Sequence, residues 1–506
     1  NNHLRRVYTT YSPDFIVSNF ERDLQTAFYN LNTDYDPKTA VLIMNDVRKA
    51  LVGVYKNVRK HKKKNEWSKL YEDYKRNGGQ MGWFDSKSID ETITKIERNI
   101  RSSAKKGKTR KAISAMAQYI EHLNETVESA VRLATYKQML NNGMSKRKAV
   151  SIAKDLTINF NRKGEWGSMI NSAYLFFNAG VQGAVNVGAR AFGTKTGFGI
   201  ATSLFGLGML NSFINKQICP EYDNNISGYE KDNYMIFMKP NCEIGFKLRM
   251  PYGWGMFKAV GGISYDFMDG SIGLTEATTR AFSSADHSFN PMGGGTILQA
   301  LSPTITDPLV MIQEGKDFKG DDLYPKEYSP NKTPDYTKHK KYTGDLYVKG
   351  AKWIAEGTGV DVSPETYKIW TNFLGGGALN NIQRSWETGS EIISKGQLPR
   401  VRNDENTINW NVVPIIRQHV VQPKEHLVAN KVYTMLKRAD LELYDPDEFK
   451  YLLQRAVRNG SITSEKAYGK YGWDSDNDGY IDVGTTGLQK QFMERQAVLY
   501  NKGGKY

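Results

Sequence analysis

The run TGFGIATSLFGLGMLNSFIN, residues 196–215, decides how this chain folds, because none of its side chains is charged. A second uncharged run, Trp166–Ala189, precedes it, and only Arg190 and Lys195 carry charge between the two runs. Each run has about the length that an α-helix needs to cross a bilayer. The pair therefore predicts a helical hairpin, whose glycines would allow its two helices to approach closely.

Two interpretations of this uncharged hairpin are open from the sequence. In the first, the hairpin stays shielded until it is released and then enters a bilayer. In the second, it is the buried core of a soluble assembly. Amide side chains argue against simple insertion, because they are costly in hydrocarbon unless they face a partner or a water-filled pore. The amides concerned are Asn171, Asn178, Gln182 and Asn186.

The composition indicates a folded protein of several parts. The chain has 506 residues, of which 39% are hydrophobic and 12% aromatic, so it can bury enough apolar surface to offset the entropy of ordering. Apolar residues recur at three- and four-residue spacing, as at Ile113, Met116 and Ile120, which predicts amphipathic helices. We expect a mainly α, elongated, multi-helix protein with a small β-hairpin region and long extended connectors.

These patterns divide the chain into four expected regions. They are a basic helical region (1–165), an uncharged helical hairpin with a small β-hairpin (166–290), a connector and helical region (291–400), and a C-terminal helical region with an EF-hand-like loop (401–506).

Local signals place individual elements in these regions. Tyr234–Met238 and Ile244–Met250 read as the strands of the β-hairpin. The proline-rich stretch Phe318–Gly344 predicts an extended connector that wraps a surface. A capping hydroxyl at Ser363, followed by proline and an acid, predicts a helix that starts there and stops at the glycines 375–377.

The two cysteines, Cys219 and Cys242, do not form a framework of disulfides or a zinc motif. Neither belongs to a CxxC pair or a Cys/His array. We expect both to be free, buried thiols.

The positive charge of the chain is concentrated in its first third. Residues 1–165 hold 32 Lys and Arg against 18 Asp and Glu, which gives +14 of the total +15. Two basic clusters there could neutralise DNA phosphates or anionic lipid headgroups without reading sequence, or could be solvated helix ends. The candidate residues are Arg59, Lys60, Lys62, Lys63, Lys64, Lys105, Lys106, Lys108, Arg110 and Lys111.

An acidic loop near the C-terminus follows the EF-hand spacing, with Gly479 where such a loop turns sharply. Thr485 stands where the bidentate glutamate would be, so one strong ligand is missing. We expect structural Ca²⁺ binding at extracellular calcium concentrations, with a metal-free acidic turn as the alternative. The candidate ligands are Asp474, Asp476, Asp478, Tyr480 and Asp482.

Catalytic motifs are absent from the sequence. The seven histidines are scattered, and there is no HExxH, GxSxG or GxxxxGK[ST] pattern. We therefore expect no enzyme in this chain, and any enzymatic domain would lie upstream of Asn1.

An ordered series of short stretches runs through residues 5–400. It comprises Tyr11–Phe15, Asn19–Asp23, Glu128–Arg132, Tyr136, Gly143–Ser145, Asn159–Phe160, Phe176–Ala179, Gln182–Gly183, Pro251–Gly253, Ser288–Gly293, Leu301–Thr304, Asp307–Pro308, Asp361–Glu365 and Gly375–Gly376. The series, which is more specific than any of its pieces, resembles the large polyvalent-protein-associated domain of phage polyproteins and of internal virion proteins in short-tailed phages.

The resemblance implies a helical module toward the carboxy-terminal side of a very large phage protein. In short-tailed phages, similar proteins are stored inside the capsid near the portal and leave ahead of the DNA, helping to form a conduit across the host envelope. We expect a structural, oligomeric virion protein with portal or other ejection proteins, double-stranded DNA and the host membrane as partners. A soluble DNA-binding or DNA-packing core protein and an enzyme with an unfamiliar site are the alternatives.

Overall fold

The chain folds mainly as α-helices around several hydrophobic clusters. The computed structural model describes residues 12–60, 64–79, 108–156, 177–240, 242–251, 253–289, 296, 298–299, 302–303, 305–324, 333–401, 404–424, 426–439, 443–458, 462–469 and 487–501.

Five helices form the first part of the fold, and side-chain caps begin four of them. The Ser12 hydroxyl accepts the Phe15 amide, and Asp36, Asn65 and Ser145 cap in the same way. Gly143, in the left-handed conformation, follows the longest of these helices. The helices are α1 (Pro13–Asp34), α2 (Pro37–Val58), α3 (Glu66–Tyr74), α4 (Lys108–Asn141) and α5 (Lys146–Asp155).

Their apolar faces meet in one core, which contains residues such as Leu31, Ile43, Tyr71, Leu133 and Met139.

The central part of the fold combines helices with the predicted β-hairpin. Its helices are α6 (Phe177–Gly193), α7 (Lys195–Ile218), α8 (Tyr222–Asn225), α9 (Gly228–Asn233), α10 (Gly255–Met268) and α11 (Leu274–Phe289). Its strands are β1 (Tyr234–Met238) and β2 (Gly245–Arg249), paired antiparallel with Ile236 opposite Lys247. The Trp254 indole donates to Asn30 at 3.0 Å, which fastens this part to α1.

The remaining α-helices are α12 (Asp307–Glu314), α13 (Asp345–Thr358), α14 (Pro364–Lys395), α15 (His426–Arg438), α16 (Pro446–Arg458), α17 (Ser464–Tyr468) and α18 (Leu488–Asn501), and three short 3-10 helices cover Asp335–Thr337, Trp410–Val412 and Ile416–Gln418. The remaining strands are β3 (Arg400–Val401), β4 (Asp404–Ile408) and β5 (Val420–Val421). β3 and β4 pair with each other, whereas β5 joins the hairpin in the order β1, β2, β5. Helices α15 to α18 enclose a separate core around Phe449 and Phe492.

The mainly α prediction is confirmed, and so are the predicted strands and the start of α14 at Ser363. The glycine run interrupts α14 instead of ending it. Gly376 adopts φ 55° and ψ −154°, and helical structure resumes after it. The third strand, β5, was not predicted, because a two-residue strand leaves no period in the sequence.

The expectation of free thiols is wrong. Cys219 and Cys242 form a disulfide, with Cα atoms 5.3 Å apart. The turn between β1 and β2 folds back over the C-terminal end of α7 and brings the two residues together. A separation of 23 residues in the sequence carries no sign of that approach.

A carboxyl group of α1, that of Asp23, gives a test of the fold. Burial raises the pKa of Asp23 to about 7, although Arg132 acts in the opposite direction. Because the pKa of Asp23 is higher in the folded state than in the unfolded state, its protonated carboxyl group contributes to the free energy of unfolding. This contribution is complete below the ordinary pKa of about 3.9, and it is lost as the pH rises through about 7.

We predict that Asp23→Asn raises the free energy of unfolding at about pH 8 by about 1 kcal/mol or more, since it removes a poorly solvated charge. The difference between variant and wild type should shrink toward pH 4. Urea unfolding at several pH values measures it. A difference that does not change with pH would contradict the assignment.

Candidate membrane-facing helical unit

Helix α7 exposes six large apolar side chains, while most of its buried residues are small or polar and Leu204 is the large apolar exception. Phe198 is 56% exposed, and Leu207, Leu210, Phe213, Ile214 and Ile218 are exposed as well. The buried residues of the helix are instead Gly197, Ala201, Leu204, Gly208, Asn211, Ser212 and Asn215. We call the six exposed residues the apolar face of α7. A helix on the surface of a water-soluble protein shows the opposite arrangement.

Glycines allow α7 to lie directly against α10. A Cβ atom on Gly208 would stand 2.0 Å from the carbonyl oxygen of Lys258, and one on Gly261 would stand 2.0 Å from that of Phe205. The two backbones therefore touch at two points. Close contact through small residues is typical of helix pairs in membranes.

Charged side chains fill the space behind this pair. Asp266 of α10 is 1% exposed and accepts hydrogen bonds from Ser212 at 2.5 Å and from Arg280 at 2.8 Å. Arg280 also holds Asp232 through two nitrogen atoms, at 2.5 and 3.0 Å. Lys216, in the last turn of α7, lies 2.9 Å from Asp266. Each buried charge is thus paired, as burial requires.

Helices α10 and α11 share part of this arrangement, because they bury charged side chains and expose some apolar ones, which on α11 lie beside polar residues such as Glu276. Lys258 is buried and donates to the carbonyl oxygens of Lys231 and Tyr234. On the outside, Phe267 and Met268 of α10 are exposed, as are Leu274 and Phe282 of α11. The inversion therefore belongs to a unit of helices and not to α7 alone.

Two asparagines of α7 complete the hydrogen bonds of an edge strand. The Asn211 side chain donates to the carbonyl of Ile236 at 2.7 Å and accepts its amide at 3.3 Å. Asn215 donates to the same carbonyl and accepts the amide of Met238 at 2.9 Å. These side chains replace the neighbour that β1 lacks on this side. We call this contact the asparagine clamp.

A second ionic cluster joins the unit to distant parts of the chain. Glu230 lies 2.9 Å from Lys247 of β2 and 3.6 Å from Lys424, and Lys424 reaches Asp321 at 2.8 Å. Burial alone would raise the pKa of Glu230, but Lys247 and Lys424 outweigh it and hold that pKa well below its usual range. The cluster bridges α9, β2, the connector and the start of the C-terminal region.

The same cluster changes the interpretation of the connector. Asp317 lies beside Asp321 and contacts Lys340 at 2.8 Å. The two described ends of the connector therefore both reach into the buried cluster. Burial and the neighbouring Lys424 lower the pKa of Lys319 to about 8. The described charges Asp321 and Lys340 of the connector therefore form internal ion pairs and do not merely coat a surface.

The predicted basic residues are only partly within the described residues. Arg59 lies over the ring of Tyr119 at 5.8 Å, Lys64 forms an ion pair with Glu72, and Lys60 follows α2. Lys108, Arg110 and Lys111 lie in the first turn of α4. Lys62, Lys63, Lys105 and Lys106 lie outside the described residues. A common phosphate-binding surface stays a prediction.

The acidic loop also lies outside the described residues, since 470–486 are not among them. Among the residues that are described, no group of three or more His, Cys, Asp or Glu side chains could hold a metal ion. Calcium binding by Asp474–Asp482 therefore stays a prediction.

The second uncharged run forms a helix of the expected length. Within the described part of the chain, Lys195–Ile218 is the helix that is long and apolar enough to cross a membrane, with a mean hydropathy of 1.4 over its best window, of which 33% is buried. Length and composition fit a buried core helix equally well. The exposed apolar face is what distinguishes α7 from such a helix.

Sequence patterns identified the uncharged run but missed the ionic interior behind it. One feature of the sequence did indicate this ionic interior. Lys258 and Asp266 are the only charged residues of α10, and they stand eight positions apart. That spacing places both on one face of a helix, among residues that are otherwise apolar.

Residues 194–408 match the family model described as large polyvalent protein associated domain 38. This match confirms the predicted resemblance and associates this part of the chain with phage polyvalent proteins. It begins at α7, so the resembling stretches from Tyr11 to Gly183 lie outside it. The inverted helices α7, α10 and α11 and the asparagine clamp all lie inside it. Neither a curated protein nor a solved structure matches the chain.

The glycine contact can be tested within one helix. We predict that Gly208→Ala lowers the free energy of unfolding by about 1–3 kcal/mol, because the new methyl group meets backbone that cannot yield easily. Gly206 has open space around it, so Gly206→Ala should be neutral or stabilise by about 0.5–1 kcal/mol through helix propensity. Thermal unfolding of both variants and of the wild type measures these differences in stability. A Gly208→Ala protein as stable as wild type would exclude the close contact of α7 and α10.

Proposed function

We propose that this chain is a structural, oligomeric virion protein that leaves the capsid with the phage genome and docks on the host membrane through the apolar face of α7. The observation that carries the proposal is the inverted polarity of α7, α10 and α11. The family match supports a phage setting, and the inversion supports the membrane.

The energetics of the inversion favour lipid as the environment of this face. Full burial of a large apolar side chain is worth about 1.5–3 kcal/mol, and the side chains of this face, which are roughly half exposed, would gain a corresponding part of that. Contiguous exposed apolar patches on soluble proteins commonly mark membrane or protein interaction sites. Meanwhile the charges of the unit that would be costly in lipid already have ion-pair or hydrogen-bond partners inside it.

Only one side of α7 is available to the bilayer. Its other side is held by the asparagine clamp, by the ion pair between Lys216 and Asp266, and by backbone contact with α10. We therefore infer docking as a folded unit, with the helix lying against or among the lipid chains. Several copies in one ring would then line a passage across the envelope.

The charge of the first third of the chain supports contact with DNA as a second part of this role. The first third carries most of the positive charge, which favours sequence-independent contact with double-stranded DNA. Portal or other ejection proteins would be the partners inside the virion. No catalytic step is part of this proposal.

Flotation with anionic liposomes tests the membrane role. We predict that the purified chain floats with the liposomes at low and moderate salt, because apolar burial is screened little by ions. Replacing Leu210, Phe213 and Ile214 together by Ser should reduce the floated fraction by roughly tenfold or more.

A matched control replaces three exposed apolar or aromatic residues of the C-terminal helices, Tyr451, Val498 and Tyr500, by Ser. That variant should float like wild type. A soluble wild-type chain that never floats would remove the membrane role. If that chain also bound duplex DNA with an affinity that falls steeply with salt, the DNA-binding core protein would be favoured.

A further inference from the structure

The disulfide stands at the point where the membrane-facing helix ends. Cys219 is the C-terminal cap of α7, with its amide bonded to the carbonyl of Asn215, and it is 1% exposed. Cys242 lies in the turn between β1 and β2. These are the only two cysteines in the 506 residues, so the chain's entire thiol content is placed at this junction.

The backbone at Cys242 shows that a cysteine is held there at a cost. Its φ is +56°, in the left-handed region that favours glycine. A turn with no further role would be more stable with glycine or asparagine at this position. A cysteine at position 242 offers what glycine or asparagine cannot, which is the disulfide bond to Cys219.

The bond and the asparagine clamp hold the same two elements together. Asn211 and Asn215 attach α7 to Ile236 and Met238 of β1. One turn beyond Asn215, Cys219 attaches the end of α7 to the turn that follows β1. When the bond is open, the clamp and the apolar cluster that contains Cys219, Ile236 and Met238 still hold the last turns of α7 on the sheet, without a covalent link.

We propose that Cys219 and Cys242 form a redox latch that closes after the chain leaves the reducing cytoplasm in which it is made. The two thiols lose two protons and two electrons and form one S–S bond. The oxidant is a small-molecule or protein disulfide, which becomes two thiols. The timing of closure, on arrival in an oxidising envelope, rests on the function proposed above.

The experiment compares the full chain after reduction with dithiothreitol and after oxidation with oxidised glutathione, without lipid. A maleimide that adds mass should label two thiols in the reduced chain and none in the oxidised chain, once each is denatured. Hydrogen exchange in peptides covering Tyr234–Met238 should be about tenfold or more faster in the reduced chain, because the clamp opens more often. Peptides of α16 should exchange equally in both forms.

Two variants make the comparison decisive. Cys219→Ser should exchange at the reduced rate under both conditions. Cys242→Gly relieves the left-handed backbone, so it should fold well and still lose the difference between the two conditions. Equal exchange in oxidised and reduced wild type, or two reactive thiols after glutathione treatment, would overturn the latch.

Flotation of the same two preparations separates this proposal from the membrane role. If neither form floats while the exchange rates differ, the latch stands and membrane docking fails. If both forms float while the exchange rates are equal, membrane docking stands and the latch fails.

Discussion

The pairing of Arg280 with Asp232 and Asp266 is the constraint on which the central part of the fold depends. Taking charges out of water costs several kcal/mol for each ion, and these three lie almost completely inside the protein. The cost is offset only when the partners meet with good geometry. Arg280 meets this condition because its planar guanidinium holds one carboxylate with two nitrogens and the other with a third. Helices α9, α10 and α11 are therefore fixed relative to one another.

That ionic interior explains why the apolar side chains of α7 face outward. Ser212 and Lys216 must turn inward to reach Asp266, and Gly208 must turn inward to meet α10. Because a helix has only one face toward its neighbours, Leu207, Leu210 and Phe213 are left on the other. The exposure of these residues thus follows from the contacts that Gly208, Ser212 and Lys216 make with α10 on the other side of the helix.

The sequence predicted the elements of this arrangement better than their orientation. The uncharged run, the β-hairpin and the capped start of α14 each carry a local signal, such as the proline after Ser363. Which side of α7 faces inward depends on Asp266 and Lys258, which lie 40 or more residues away in the chain. The pairing of Cys219 with Cys242 and the joining of β5 to β2 depend on such long-range contacts too, and local periodicity cannot report them.

Helix α9 connects the two ionic clusters within six residues. Asp232 faces Arg280 in the cluster behind α7, whereas Glu230 faces Lys247 and Lys424 in the other. Since both acids lie on one short helix, the position of Glu230 relative to Lys424 is tied to the positions of α10 and α11. A contiguous set of packed and charged contacts such as this one can carry coupling across a protein. The same residues that hold the apolar face outward therefore also join it to the connector and to the C-terminal helices.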